Sequence, residues 1–144
     1  MQNFPLVSVI CLSYNHEVYV VEALNSVINQ TYPNIELLIA DDCSSDHSVG
    51  VIQDWLQHHP NVYFLANEKN LGNTKTFNQL AKKAKGEFIT FIDADDDIDE
   101  RLIVELANGA KDGADFVMCG MTLNGKEIIA PSAKVAGDNE ITEY

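Results

Sequence analysis

At 144 residues and 46% hydrophobic, the chain has the length of one domain and enough apolar content for a sizeable core without disulfides or a structural metal. Its 22 acidic against 9 basic residues give a formal charge of −13, which argues against nucleic acid or an anionic membrane surface as a partner. Three cysteines without a Cys-x-x-Cys pair, no basic-then-apolar leader and no stretch of 18 apolar residues point to a reducing compartment, with neither a signal peptide nor a transmembrane segment.

Leu6 to Leu12 is a continuous apolar run after Pro5, as expected for a strand covered on both faces of a parallel sheet. It stops at Ser13-Tyr14-Asn15, where Asn15 is placed to cap a helix carrying Val18, Val21, Leu24 and Ile28 at helical spacing, with Glu17 in its first turn. Tyr32-Pro33-Asn34 ends that helix. Ile35 to Ala40 reads as a second buried strand leading into Asp41-Asp42-Cys43-Ser44-Ser45-Asp46, and Ser45 or Asp46 can cap a helix with Val49, Ile52, Trp55 and Leu56. His58 and His59 close that helix, where imidazoles complement the helix dipole. Val62 to Ala66 is a short third strand, followed by a turn-rich loop through Asn67, Asn70 and Gly72. Thr74 is the expected cap of a helix with Phe77, Leu80, Ala81 and Ala84 inward; Lys82, Lys83 and Lys85 form a solvated face, and Gly86 stands as the C-cap. Glu87 to Ile92 is a β-rich run that reads as a buried central strand, Asp99 opens another helix, and Asp115–Met121 with Lys126–Ala130 suggest a hairpin around Asn124-Gly125. Cys11 and Cys119 are expected as buried strand thiols and Cys43 as a more exposed loop thiol.

Alternating strands and helices predict an α/β fold, a Rossmann-like, mostly parallel sheet with flanking helices and right-handed crossovers, whose ligands bind beyond the carboxyl ends of the strands. Those ends carry Ser13, Tyr14 and Asn15; Asp41 and Asp42; Asn67 and Asn70; and Asp93 and Asp95, so polar groups distant in sequence are brought to one edge. The fourth end, Asp93-Ala94-Asp95-Asp96-Asp97, holds four carboxylates in five residues. Their mutual repulsion calls for a neutralising cation, and hard oxygen ligands favour Mg²⁺, Mn²⁺ or Ca²⁺. A solvated acidic turn is the simpler alternative for the Asp-x-Asp alone.

Val7-Ser8-Val9-Ile10 with Ser13-Tyr14-Asn15, Ser26-Val27-Ile28-Asn29-Gln30-Thr31-Tyr32, Asp41-Asp42-Cys43-Ser44-Ser45-Asp46, Asn70-Leu71-Gly72 and Ala84-Lys85-Gly86-Glu87 leading into Asp93-Ala94-Asp95-Asp96 together resemble the family 2 glycosyltransferases of the GT-A fold, over about residues 5 to 120. The resemblance implies a nucleotide-diphosphate sugar as donor, a UDP-sugar first, and a carbohydrate or lipid-linked acceptor. It places the nucleotide among Ser13, Tyr14, Asn15, Asp41, Asp42, Asn70, Gly72 and Lys75, with Asp42 accepting from the uracil imide. Asp93 would lie near the ribose, and Asp95 with Asp93 would hold Mn²⁺ or Mg²⁺ at the diphosphate. It further implies an inverting, metal-assisted transfer in glycan or cell-envelope polysaccharide synthesis. The chain departs from the common pattern at Leu12, where many members have Thr or Pro, and at Phe77, where many have Arg; Lys75 is the substitute contact.

The chain is expected to be a single GT-A-like domain over 1–144, the N-terminal, donor-binding portion of a longer enzyme whose general base lies beyond Tyr144. Its expected location is cytoplasmic, at the inner face of the membrane through parts outside this stretch. Two other classes compete: a non-catalytic nucleotide-sugar-binding module, and a response-regulator receiver domain, which also presents acidic strand ends and binds Mg²⁺ but needs a lysine at a late strand end that is not found here.

Overall fold

The computed structural model describes residues 4–111, 113–123 and 126–128. The chain divides into two compact units, Met1–Glu100 and Arg101–Tyr144.

The first unit is built from β1 (Val7–Ser13), α1 (Val20–Ile28), β2 (Ile35–Asp41), α2 (Ser48–Leu56), β3 (Tyr63–Ala66), α3 (Asn73–Ala81) and β4 (Phe88–Asp93). All pairings in its sheet are parallel and the strand order is β3-β2-β1-β4. β1 is buried along its whole length because it is flanked by β2 and β4 and covered on both faces. The chain moves one way across the sheet from β1 to β3 and then crosses back to β4. Right-handed crossovers therefore require α3 to lie on the face opposite α1 and α2. The packing agrees. Leu80 of α3 joins Ile10, Leu12, Leu38 and Ala40 in one cluster, with Phe77, Ala81 and Leu65 packed against it. The alternate residues Val9, Cys11, Leu37 and Ile39 are also buried and point to the other face, where α1 contacts both β1 and α2.

Cys11 is buried in this core, which, together with the charge on Asp93, pushes its thiol up to about 12, so it is an inert core residue. Cys119 is exposed rather than buried, since residues 116–120 form no strand. β4 also differs from the expected central buried strand. Among the described residues it pairs only with β1, and Ile89 and Phe91 are exposed, Phe91 at 64%.

Three expected caps are filled differently. α1 begins at Val20 with Tyr19 as N-cap, so Asn15 stands five residues ahead of it, in a left-handed turn at φ 59°. α3 is preceded by Gly72 at φ 81°, and Thr74 lies within the helix. α3 ends at Ala81 and Gly86 is not its cap. Gly86 instead crosses β1 so closely that a Cβ there would lie 2.6 Å from both the nitrogen and the Oγ of Ser8. Asp46 does serve α2, accepting the Ser48 N–H at 2.9 Å. α2 ends at Leu56 with Gln57 as its C-cap rather than at the His pair, and His59 lies just beyond it, its Nδ1 2.9 Å from the Trp55 carbonyl and its ring stacked 3.7 Å from that of Trp55.

The second unit contains α4 (Leu102–Ala110), beginning after Arg101 rather than at Asp99, and an antiparallel pair of β5 (Met121–Leu123) and β6 (Lys126–Ile128). An antiparallel pair is present as expected, but its first strand begins at Met121, where the expected strand Asp115–Met121 ends. Asn124, Gly125 and the end of the expected second strand at 129–130 lie outside the described residues.

Candidate functional site

Parallel pairing aligns Ser13 with Asp41, Asp41 with Ala66 and Leu12 with Asp93, so all four carboxyl ends meet on one edge of the sheet. The backbone ladder runs one residue further on three strands: the Asp42, Asn67 and Ala94 N–H groups donate to Ser13, Asp41 and Leu12 carbonyls. The loops that follow are thereby launched in parallel from a rigid base.

The loops after β1 and β2 are zipped together by side chain to backbone bonds. Three successive N–H groups of the first loop, those of Asn15, His16 and Glu17, donate to Ser44 Oγ, Ser48 Oγ and Asp46 Oδ2. In return, Asn15 Oδ1 accepts from the Ser45 N–H and Glu17 Oε2 from the His47 N–H. Asp41 is fully buried and anchors the zip, accepting from Ser13 Oγ at 3.1 Å, Ser44 Oγ at 2.6 Å and the Ser44 N–H at 2.8 Å. Burial alone would raise the Asp46 carboxyl, but the donors of Ser48 and Glu17 hold it below the usual carboxylate range. Cys43, at φ 67°, makes the reversal that sends Asp42 and Ser44 in different directions.

Asp42 is 4% exposed and gathers the loop after β3. Its Oδ1 accepts from Asn67 Nδ2 at 2.8 Å, the Leu71 N–H at 2.9 Å and Thr76 Oγ1 at 3.0 Å, and its Oδ2 from the Gly72 N–H at 2.7 Å. Burial pushes its carboxyl up, and these four donors outweigh it and hold the group below its ordinary value. With one donor on Oδ2, that oxygen keeps a lone pair for one further hydrogen bond.

The acidic turn after β4 is held at both ends, while among the described residues the carboxylates of Asp93, Asp95, Asp96 and Asp97 accept no hydrogen bond. The Ala94 and Asp96 N–H groups bond to Leu12 and Asp93 carbonyls. Further on, the Ile98 N–H donates to Ser26 Oγ, Gln30 Nε2 to the Asp99 carbonyl, and Thr31 N–H and Oγ1 to the Glu100 carbonyl. The run Ser26 to Thr31 is thus the clamp that fixes the acidic turn to the end of α1. Asp93 is half-buried, and burial, then the charges of Asp96 and Asp95, raise its carboxyl above the ordinary value, with His16 partly offsetting them. Asp95 is half exposed, and its Oδ1 lies 3.8 Å from His16 Nε2. Among the described residues no three His, Cys, Asp or Glu side chains are grouped to hold a metal ion by themselves. Asp93 and Asp95 supply hard carboxylate oxygens, and one or two such carboxylates together with substrate phosphates are what a small divalent cation takes, so the pair fits a cation bound along with its ligand.

The geometry groups the expected site residues into three sets: Ser13 with Asp41; Asp42 with Gly72 and, through the Gly72 N–H, Asn70; and Asp93 with Asp95. Tyr14 and Lys75 stand at the edge as exposed side chains, and Lys75 makes no hydrogen bond or ion pair among the described residues. Thr76 and His16 were not legible as site residues. Thr76 carries a helix-interior spacing, and His16 lies 77 positions from Asp93, brought near it only because β4 pairs with β1.

A parallel 3-2-1-4 sheet with polar loops at its carboxyl edge is the sheet of the nucleotide-binding doubly wound folds, whereas a receiver domain has β1 between β2 and β3. The solved structures it resembles are GT-A transferases. S. aureus TarS 1-349, solved in complex with UDP-GlcNAc, is 33% identical with a TM-score of 0.67 over 74% of this chain and 31% of that one. The mannosyltransferase PcManGT from Pyrobaculum calidifontis, in complex with GDP-Man and Mn²⁺, is 27% identical with a TM-score of 0.67 over 83% of this chain and 35% of that one. Residues 8–130 match Glycosyl transferase family 2, and the chain belongs to that family. The minor teichoic acid biosynthesis protein GgaB of Bacillus subtilis is 37% identical over 103 residues, 70% of this chain and 11% of GgaB. The chain spans about a third of the length of the first curated relatives it matches, between 30% and 38%.

Proposed function

We propose that this chain forms the donor-binding part of a glycosyltransferase that moves a sugar from a nucleoside diphosphate, UDP in preference to GDP, to an acceptor hydroxyl during cell-envelope polysaccharide synthesis. The observation that carries the reading is the pairing, on one sheet edge, of a donor-filled carboxylate at Asp42 with an unfilled acidic pair at Asp93 and Asp95. UDP-GlcNAc bound by TarS and the teichoic acid role in GgaB's name support the donor and the pathway class.

In this reading the zipped loops after β1 and β2 form the wall of the nucleoside pocket. Asp42 Oδ2 offers its remaining lone pair to the uracil imide N–H, a contact a carboxylate makes and an apolar residue cannot. Gly72, with no Cβ and φ 81°, lets the loop backbone approach the ligand, and Lys75 at the start of α3 supplies positive charge to an otherwise acidic edge. Asp95 and Asp93 would hold a divalent cation, Mn²⁺ or Mg²⁺. Bound there, the cation supplies Lewis-acid stabilisation of charge on the departing diphosphate. Inversion at the anomeric carbon is the stereochemical outcome expected by family likeness.

Thermal unfolding with UDP or GDP, each with and without Mn²⁺, tests the proposal. At a ligand concentration of 100 times the dissociation constant, stabilisation is about 2.7 kcal/mol, a rise of roughly 5–10 °C for a chain of this length. A rise needing both UDP and Mn²⁺, and lost in Asp95→Ala, is the expected result. No rise with either nucleotide would overturn it.

A further inference from the structure

We propose that His16 is a positioning residue for the divalent cation: the zipped loops fix the backbone that carries its imidazole beside Asp95, and its Nε2–H steadies that carboxylate for ligation. The inference rests on the donor-site reading above and goes beyond it, because no part of that reading uses His16.

His16 lies in a loop, yet its main chain is not free. Its own N–H is tied to Ser48 at the start of α2 and those of its two neighbours to Ser44 and Asp46 of the β2–α2 loop, so the backbone carrying the ring is fixed. The ring is three-quarters buried, with Nε2 3.8 Å from Asp95 Oδ1. That separation exceeds a hydrogen bond, and in the proposed role the half-exposed Asp95 side chain turns toward the ring to close it when the cation binds. Asp95 otherwise lacks support: among the described residues its carboxylate accepts no hydrogen bond, and its one ion pair is with the His16 ring. A carboxylate free to rotate loses that freedom on ligating a metal. An outer N–H partner that restricts it beforehand raises metal affinity, and removing such a partner typically costs 10–100-fold. A neutral imidazole carrying its proton on Nε2 suffices, so the role needs no change of charge.

The test is Mn²⁺ binding followed by electron paramagnetic resonance on the chain saturated with UDP, alongside metal-free UDP affinity by calorimetry, for wild type, His16→Ala and His16→Gln. The expected result is a loss of Mn²⁺ affinity of about 10-fold or more in His16→Ala, retention in His16→Gln, whose amide N–H reaches a similar point, and unchanged metal-free UDP affinity in both. Wild-type Mn²⁺ affinity in His16→Ala would overturn the inference while leaving the donor site standing. Equal losses in both variants, or a parallel loss of metal-free UDP binding, would also overturn it, because the effect would then be on the loops as a whole. A wild-type chain that takes up no Mn²⁺ with UDP would remove the donor-site reading itself and this inference with it.

Discussion

Asp42 and Asp93 stand on opposite sides of β1 at the same edge of the sheet, and their carboxylates are treated in opposite ways. Four donors converge on Asp42, from a side-chain amide, a hydroxyl and two backbone N–H groups, and its carboxyl is pulled below the ordinary range. Asp93 is half-buried and also receives the charge of two more aspartates, and its carboxyl is pushed up. The first carboxylate is part of the protein's own structure. The second adds repulsion that folding alone does not relieve, as expected of groups kept for a ligand.

The largest break in this contrast is Asp42→Ala. It strands the Asn67 amide, the Thr76 hydroxyl and two N–H groups, and should cost roughly 3 kcal/mol in urea unfolding. A loss under about 1 kcal/mol would show that water replaces the carboxylate without penalty. Asp95→Ala should leave the stability of the unliganded chain within about 0.5 kcal/mol, yet abolish the UDP-and-Mn²⁺ stabilisation expected of the intact chain. Gly86→Ala tests the opposite edge of the sheet. Its Cβ would collide with the Ser8 backbone, so a loss of about 1–3 kcal/mol is expected with no change in nucleotide preference. The smallest effect is Asp93→Asn, which should stabilise the chain at pH 7 by about 0.5 kcal/mol, because the group is partly exposed and solvent screens it.

The two carboxylates also part in their pH dependence. Asp42, with its value depressed, adds stability that is present above the unfolded value of about 4 and is lost as pH falls through its lower folded value. Asp93, with its value raised, adds stability that is present below about 4 and is lost as pH rises through its higher folded value. The advantage of Asp93→Asn should therefore shrink as pH falls from 7 to about 4, whereas the penalty of Asp42→Ala should persist to about 4 and shrink only in stronger acid. Urea unfolding of the three proteins at pH 7, 5 and 3 reads both slopes, and slopes of the same sign would dissolve the contrast.

Local chemistry was enough to read the four strands of the parallel sheet, the helices and the polar ends of Ser13, Asp41, Asp42 and Asp93, because apolar runs, helical spacing and turn residues act over a few positions. Those signals also put the polar ends on one edge, since parallel strands joined by right-handed crossovers leave no other arrangement. Helix starts were less legible. Asn15 and Thr74 are good caps by residue type, but the zip between two loops claimed Asn15, and the turn at Gly72 started α3 before Thr74 could cap it.

Strand order and side-chain partners were settled only in three dimensions. Alternation of elements leaves open whether β1 lies beside β3 or β4, and the choice of β4 brings His16 to Asp95 and exposes Phe91. The same holds for Asp42, whose four donors come from 25 to 34 residues away, and for the Ser26 to Thr31 clamp on a turn some 70 positions later. A sequence supplies a carboxylate, but whether it is filled by the protein or left for a ligand depends on which donors the packed chain carries to it.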